Sequence, residues 1–393
     1  MVSRDLLAGS AWDAAGGQPY CSVMPQIHSP RRDRAAAVIA SLGADAALIT
    51  SGVNVRYLTG LVSSNAALLL SADGTAVLAT DSRYAGTAQR ESPDTELMIE
   101  RDVAAVLVRR ALDRGLGRIA FEDQDLTVQR HRGLTAITGS GAGAAGPDLV
   151  PAGAAIDELR MVKDEAEIAL LARACAITGE AFSAVLGRLR PGVTEREYAV
   201  ALERAMIDLG AEAVAFGSIV ASGPNGAIPH HVPGDRPFFS GDLVTVDCGA
   251  LFGGYHADMT RTVAIGKPAA WQCEIYQIVA EAQAAGVAAA KPGADVGDLD
   301  AVSRDLIEAA GYGAHFGHGL GHGVGLEIHE APIIGYDRTG TLADRVPITI
   351  EPGIYLPGEG GVRIEDTLVV RAGAGAAGCA QPLTTITREL LVL

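Results

Sequence analysis

Cysteine and basic side chains are both scarce in this sequence, and a long apolar run is missing. Five cysteines (Cys21, Cys175, Cys248, Cys273 and Cys379) are scattered over 393 residues with no C-x-x-C spacing. That pattern fits a reducing compartment and offers no thiolate zinc site. Lys and Arg number 31 against 47 Asp and Glu, a formal net charge of −16. Nucleic acid and anionic membrane both need clustered cations, so neither is an expected partner. No apolar run approaches the roughly 20 residues of a membrane span. The first 23 residues have neither a basic n-region nor an apolar h-region, so they do not read as a signal peptide. Residues 1–27 are expected to be a flexible, Gly/Ala-rich extension, with Met24 as an alternative start. The expectation is a cytoplasmic protein.

What is present is an ordinary globular composition, 48% hydrophobic and 20% charged, long enough for two or three domains. From Arg31 to about Thr138 helix-like and strand-like stretches alternate. A helix over RDRAAAVIASLG precedes the strand DAALIT, and AALLLS and TAVLAT flank a turn at Ala72-Asp73-Gly74. RIAFED reads as a further strand. This predicts a small α/β domain over 28–152. The Gly/Ala/Pro-rich stretch 139–153 reads as a linker, and 153–393 as a second, larger domain. The second domain opens with ELRMVKDEAEIALLARACAITGEAFSAVLGRL, whose apolar spacing predicts a long amphipathic helix.

An internal echo follows. PGVTEREYAVALERAMIDLG (191–210) and PGADVGDLDAVSRDLIEAAG (292–311) align without a gap. Thr194 and Asp295 are matched N-caps, Glu197 and Asp298 are the acids three residues on, and Gly210 and Gly311 are matched stops. Each helix precedes a strand-rich stretch, so the domain reads as two related α/β halves.

Each half carries paired acids. In GDLVTVDCGALFGGYHADMTRTVAIG (241–266), Asp247 and Asp258 lie symmetrically about a turn near Phe252-Gly253-Gly254 and are expected to face each other. In ITIEPGIYLPGEGGVRIEDTLVV (348–370), Glu351 and Glu365 are symmetric about Gly358. All four sit in Val/Ile-rich runs that should be buried. Buried, unpaired carboxylates cost several kcal/mol, so a shared divalent cation is the economical reading. Oxygen ligands with one imidazole suit Mn²⁺, Co²⁺, Fe²⁺ or Zn²⁺, and four carboxylates suit two ions ~3.5–4 Å apart.

The histidines are less direct. His315, His318, His322 and His329 are four of the chain's nine, and glycine takes every second position from 317 to 325. His318 and His322 have i,i+4 spacing, but glycines at ~1 kcal/mol each forbid a stable helix. His329-Glu330 is followed by Pro332 and Ile333, so the H-E-x-x-H zinc motif fails. Such glycine density permits close backbone approach, and VGLEIH is expected as an active-site strand.

These segments together resemble a known family. PHHVPGDR (229–236), DCGALFGGYHADMTRT (247–262), HGLGHGVGLEIHE (318–330), IEPGIY (350–355) and VRIED (362–366) are similar to the pita-bread-fold metallopeptidases, and within them to Xaa-Pro aminopeptidases and prolidases. NVRYLTGLVSSNAALLLSADGTAVLATDSRY (54–84) and LRMVKDEAEI (159–168) extend the likeness over about residues 28–393. Ala257 and Gly234 stand where serine is usual, and neither is a ligand position.

The resemblance implies a creatinase/methionine aminopeptidase-like catalytic domain with internal pseudo-duplication, an α/β (α+β) fold, behind a smaller α/β domain. It implies two divalent ions, manganese first, held by Asp247, Asp258, His322, Glu351 and Glu365, with Asp258 and Glu365 bridging. A hydroxide between the metals would attack the carbonyl before proline, with Glu351 as general base. His230 and His329 would bind the scissile carbonyl, His318 would line the proline pocket, and Arg363 would serve substrate binding and support the acids. The implied function is Xaa-Pro aminopeptidase, with Xaa-Pro dipeptidase (prolidase) as alternative, acting as a homodimer on peptides with proline second. A non-catalytic pita-bread binding protein is the reading from a different class.

Overall fold

The structure, a computed structural model, describes residues 25–139, 146–373 and 378–393. It divides into two compact units, Met1–Gly153 and Ala154–Leu393. Helix α1 already begins at Pro25, so the last residues of the expected 1–27 extension are helical; the rest lies outside the described residues.

The first unit is α/β. Its helices are α1 (Pro25–Ser41), α2 (Gly52–Thr59), α3 (Ala85–Glu91), α4 (Val103–Asp113) and α5 (Val128–Thr138). Its strands are β1 (Ala46–Ile49), β2 (Ala66–Ser71), β3 (Ala76–Thr80), β4 (Glu96–Ile99), β5 (Arg118–Phe121) and β6 (Asp148–Pro151), ordered β4-β3-β2-β1-β5-β6 in one sheet. The β2–β3 hairpin turns at the expected Ala72-Asp73-Gly74, where Gly74 has φ +86°. The stretch read as a linker is only partly one. Asp148–Pro151 pairs with β5 in parallel as an edge strand, with Leu149 and Val150 half-buried and Leu149 packed on the unit's apolar core; residues 140–145 lie outside the described residues.

One buried group gives this unit a pH dependence. His28 is buried, its Nδ1 donates to the Tyr57 carbonyl at 3.0 Å, and burial pushes its pKa down to about 4. An unfolded histidine titrates near 6.5, so between those values the unfolded chain binds the extra proton. The stabilisation is therefore complete above about pH 6.5 and lost as pH falls through 4, about 3 kcal/mol in all. His28→Gln keeps an N–H for Tyr57. Urea titrations are expected to show a smaller stability loss between pH 7 and 4 for the variant than for the parent.

In the second unit the long helix starts later than expected. Asp157–Arg160 is a 3₁₀ turn, and α6 (Glu165–Val185) begins only where Asp164 and Glu167 form a capping box. With the 3₁₀ turn that follows, Glu165–Arg188 has the length and hydropathy of a membrane span, contrary to the expectation from run length. Its Ile177, Ala181, Phe182 and Val185 are instead buried in a protein core.

The echoed segments become α7 (Glu195–Asp208) and α9 (Val296–Ala309), capped by Thr194 and Asp295. Gly192 N donates to Phe238 O and Phe238 N to Val193 O; Gly293 N donates to Leu342 O and Leu342 N to Ala294 O. The same backbone bonds recur in each half, so the sequence echo is structural. Between α7 and α9 lie β7 (Ala213–Val214), β8 (Ile219–Ser222), β9 (Leu243–Cys248), β10 (Ala250–Phe252), β11 (Tyr255–His256), β12 (Met259–Ala264) and α8 (Ala270–Ala289). After α9 come β13 (Gly321–Gly323), β14 (Glu330–Ile334), β15 (Pro347–Ile350), β16 (Gly353–Leu356), β17 (Gly360–Arg363), β18 (Asp366–Arg371) and β19 (Cys379–Pro382). The first half gives the sheet β12-β9-β8 and the second β14-β13-β15-β18-β19, each over its own apolar core.

Two register expectations met different fates. The first hairpin turns at Gly253-Gly254, both at positive φ (60° and 82°), one residue beyond the expected centre. That moves every pairing by two: Asp247 faces Thr260, not Asp258. A two-residue shift leaves side chains on the same face, so the two acids remain diagonal neighbours. The second hairpin has the expected centre. Ile350↔Asp366 and Gly353↔Arg363 bracket Glu351 and Glu365 and both are symmetric about Gly358.

The glycine-rich segment also differs. Val324–His329 is a bent connection rather than a strand; the strands are Gly321–Gly323 and Glu330–Ile334. The reason is packing. A Cβ on Gly321 would lie 2.1 Å from Thr349 O, and one on Gly323 would lie 2.2 Å from Ala331 O. Only glycine lets this strand lie between its two neighbours, and the space at these positions is filled by protein backbone.

Candidate metal centre

Asp247 comes from the buried β9, Asp258 from the approach to β12, His322 from the middle of β13, and Glu351 and Glu365 from the gap between the two ladders of the second hairpin. There the backbones bond elsewhere, Glu351 N to Leu320 O and Glu365 N to Thr260 O, which turns both acids toward one point. Ligand atoms of Asp258, His322 and Glu365 lie within 4.8 Å of one another. His322 Nε2 is 3.6 Å from Asp258 Oδ2 and 3.3 Å from Glu351 Oε1.

The chemistry of this set fits a divalent cation. Nδ1 of His322 is 3.0 Å from the Gly323 carbonyl, which can only accept, so Nδ1 carries the proton. Burial lowers the His322 pKa but the Glu351 carboxylate raises it more, so Nε2 donates to Glu351 when protonated and is the atom that would ligate a cation when neutral. Asp247 Oδ1 is buried with no hydrogen-bond partner. Burial pushes up the carboxyls of Asp247, Asp258 and Glu365, and repulsion from neighbouring acids, Glu351 in each case, adds to it. Glu351 goes the other way. Burial opposes its ionisation, but the hydrogen bond and charge of a protonated His322 and the charge of Arg363 outweigh it and hold it at about 2.

Arg363 lies behind the acids. It is 2% exposed and donates to Asp247 Oδ2 at 2.7 Å, the Tyr355 hydroxyl at 2.9 Å, Thr260 Oγ at 3.1 Å and Pro229 O at 3.3 Å. Thr260 Oγ in turn donates to Glu365 Oε2 at 2.7 Å. A second chain has one consistent polarity: Arg363 donates to the Tyr355 hydroxyl, which donates to His318 Nε2 at 2.9 Å, while His318 Nδ1 donates to Gly319 O at 2.8 Å. Both ring nitrogens of His318 are thereby engaged, leaving its face for other contacts. Burial lowers its pKa, consistent with this neutral ring.

These side chains meet one cavity of about 1280 Å³, whose wall includes His230, His318, His322, His329, Asp258 and Glu351. The rings of His322 and His329 are edge to face with centroids 4.4 Å apart. The site residues expected from the sequence thus all come together. His315 also reaches the cavity wall, with Nδ1 3.1 Å from Tyr355 O.

The sequence matches the description "Metallopeptidase family M24" over residues 169–372 and "Creatinase/Prolidase N-terminal domain" over 31–162. The chain belongs to metallopeptidase family M24. It is 38% identical to the uncharacterized peptidase YqhT of Bacillus subtilis over 356 residues, 90% of this chain and 97% of that protein. Among solved structures, an Xaa-Pro dipeptidase from Bacillus anthracis superposes with TM-score 0.87 at 34% identity, covering 93% of this chain and all of that one (100%). An X-Pro aminopeptidase from Thermotoga maritima does so with TM-score 0.83 at 36% identity, covering 92% and 99%. As an M24 peptidase this chain is a hydrolase of the pita-bread fold that binds divalent metal, and the carboxylate–histidine cluster is its candidate centre.

Several groups around this M24 centre carry little mark of their role in the sequence. Tyr355 and Thr260 lay within the quoted motifs, but nothing in their spacing marks them as the atoms that join Arg363 to His318 and Glu365. Glu330, next to His329, is buried in an ion pair with Lys163, and Arg160 Nη1 lies 3.6 Å from its other oxygen. Glu195 accepts from His231 Nε2 at 2.8 Å. The signal for Glu330 was available, since an acid heading the apolar strand EAPII must find a partner once buried, whereas Glu195 opens the charged stretch Glu195-Arg196-Glu197 and carries none.

Proposed function

We propose that this hydrolase is an Xaa-Pro aminopeptidase that releases an N-terminal residue from proline using two divalent cations, Mn²⁺ first and Co²⁺, Fe²⁺ or Zn²⁺ as alternatives. The observation that carries the reading is the convergence of four carboxylates and one proton-oriented imidazole beside a cavity whose further histidines include His230, His318 and His329. Asp247, Asp258, His322, Glu351 and Glu365 would hold the cations. Bound there, cations supply an activated water at neutral pH and polarise a peptide carbonyl.

The chain's own groups do the rest. Glu351 accepts a proton at its carboxylate as general base. His230 and His329 donate hydrogen bonds to the scissile carbonyl oxygen as charge develops on it. His318, fixed at both nitrogens, offers its ring face to the proline ring, and Arg363 holds Asp247 in place from behind.

The cavity exceeds the roughly 300–1,000 Å³ of a common small-ligand site, which supports substrates longer than a dipeptide. The alternative, Xaa-Pro dipeptidase, draws support from the Bacillus anthracis structure. We take 28–152 as the creatinase/prolidase-like N-terminal domain and 153–393 as the catalytic domain, which the division at Gly153 supports. We also propose a cytoplasmic homodimer. Free Cys175, Cys248, Cys273 and Cys379 support a reducing compartment, and light scattering is expected to give twice the 40.4 kDa chain mass.

The test is a panel of Xaa-Pro and Xaa-Pro-Xaa peptides with each metal added in turn. Turnover of the tripeptides is expected; activity confined to dipeptides assigns the chain to the dipeptidases. Protein that binds no divalent ion and stays inactive with Mn²⁺ and Co²⁺ is a non-catalytic binder.

A further inference from the structure

His230 and His231 are adjacent and chemically identical in the sequence, yet the structure gives them opposite surroundings. His230 is exposed on the cavity wall and its ring makes no hydrogen bond among the described residues. His231 is tied down. Its Nε2 donates to Oε2 of Glu195 at 2.8 Å, a carboxylate that is 0% exposed. The same Oε2 accepts from Gly234 N at 3.1 Å, while Oε1 accepts from Ser222 N at 2.8 Å, Ser222 Oγ at 2.7 Å and Asn225 Nδ2 at 2.9 Å. One carboxylate thus gathers the end of β8, the turn after it and the loop that bears His230.

The peptide of His230 is held from both sides. Before it, Pro229 O accepts from Arg363 Nη1 at 3.3 Å. After it, His231 N closes a turn onto Ile228 O at 3.2 Å, and the His231 side chain is fixed by Glu195. A donor that must meet a developing oxyanion loses effect when displaced by about 1 Å, and no hydrogen bond among the described residues fixes the ring of His230 apart from this backbone.

We propose that Glu195 is a positioning residue for His230, acting through His231. The inference rests on the role given to His230 above. Glu195 itself touches no substrate and none of the five candidate ligands. It turns an exposed loop histidine into an aimed donor by satisfying five hydrogen bonds with one buried carboxylate, a demand a neutral side chain would meet less strongly.

The experiment is a double-mutant cycle on the Mn²⁺-loaded enzyme with Ala-Pro and Ala-Pro-Ala as substrates, metal content being measured for every variant. His230→Ala is expected to lower kcat by ~10²–10³-fold. Glu195→Ala and His231→Ala are each expected to lower kcat by ~10–100-fold with little change in KM and with metal content retained. His231→Gln, whose amide N–H can reach Glu195, recovers part of the loss. In the His230→Ala background neither Glu195→Ala nor His231→Ala lowers kcat further. A merely structural Glu195 would lower it as much there as in the parent, and that result overturns the proposal. So does full turnover in both single variants while His230→Ala is impaired. Full turnover in His230→Ala overturns the reading of His230 and leaves nothing to position. Should Glu195→Ala fail to fold, His231, whose side chain is 15% exposed, carries the cycle alone.

Discussion

Asp258→Ala is expected to lose its metal and at least about a thousandfold in turnover, since the several kcal/mol that a cation supplies correspond to that factor. The protein should nevertheless remain folded. Asp258 sits among Asp247, Glu351 and Glu365, and its carboxyl is pushed up by burial first and then by those three charges. Removing it relieves repulsion, so the variant is expected to melt no lower than parent protein stripped with a chelator. Metal-loaded parent should melt higher than both, because a ligand at 100 times its Kd adds about 2.7 kcal/mol. Metal analysis, turnover and thermal melts on the three samples decide the matter. Retained turnover in Asp258→Ala refutes its place among the ligands.

Arg363→Met should act mainly on stability. Its guanidinium is fully buried and serves Asp247, Tyr355, Thr260 and Pro229 at once. Removing one member of a buried pair leaves the other uncompensated, which costs about 3–5 kcal/mol. Arg363→Lys keeps the charge but not the planar fork and should fall between the two. Urea unfolding measures the difference; a cost below about 1 kcal/mol would mean that Asp247 is satisfied by other means. The same variants should alter the tilt of His318, since the hydrogen-bond chain through Tyr355 begins at Arg363.

Much of this is legible in the sequence. The Glu351/Glu365 symmetry about Gly358, the matched caps Thr194 and Asp295 and the failure of the helical zinc motif are local facts, set by turn chemistry and periodicity. The errors have local causes too. Gly253-Gly254 both adopt positive φ and take the turn for themselves, which displaced the expected Asp247–Asp258 pairing by two residues. The glycines at 321 and 323 were legible as a sign of close approach, but what approaches them could not be read, because Thr349 and Ala331 arrive from elsewhere in the chain. Likewise the helix expected from residue 158 starts only at Glu165, where the capping box overrides propensity. Tertiary partners such as Tyr355 with His318, or Glu195 with His231, join positions whose neighbourhood no window of sequence contains.

The duplication has a consequence for how the protein comes apart. Asp247 and Asp258 belong to one half, while His322, Glu351 and Glu365 belong to the other, so an ion held among them is a cross-link between chain segments about 100 residues apart. In the chain-entropy picture a link closing a loop of about 100 residues restricts the unfolded chain by about 4.7 kcal/mol. The cation would then act as a removable staple: its withdrawal unlocks the seam between the halves at the same moment that it silences the peptidase.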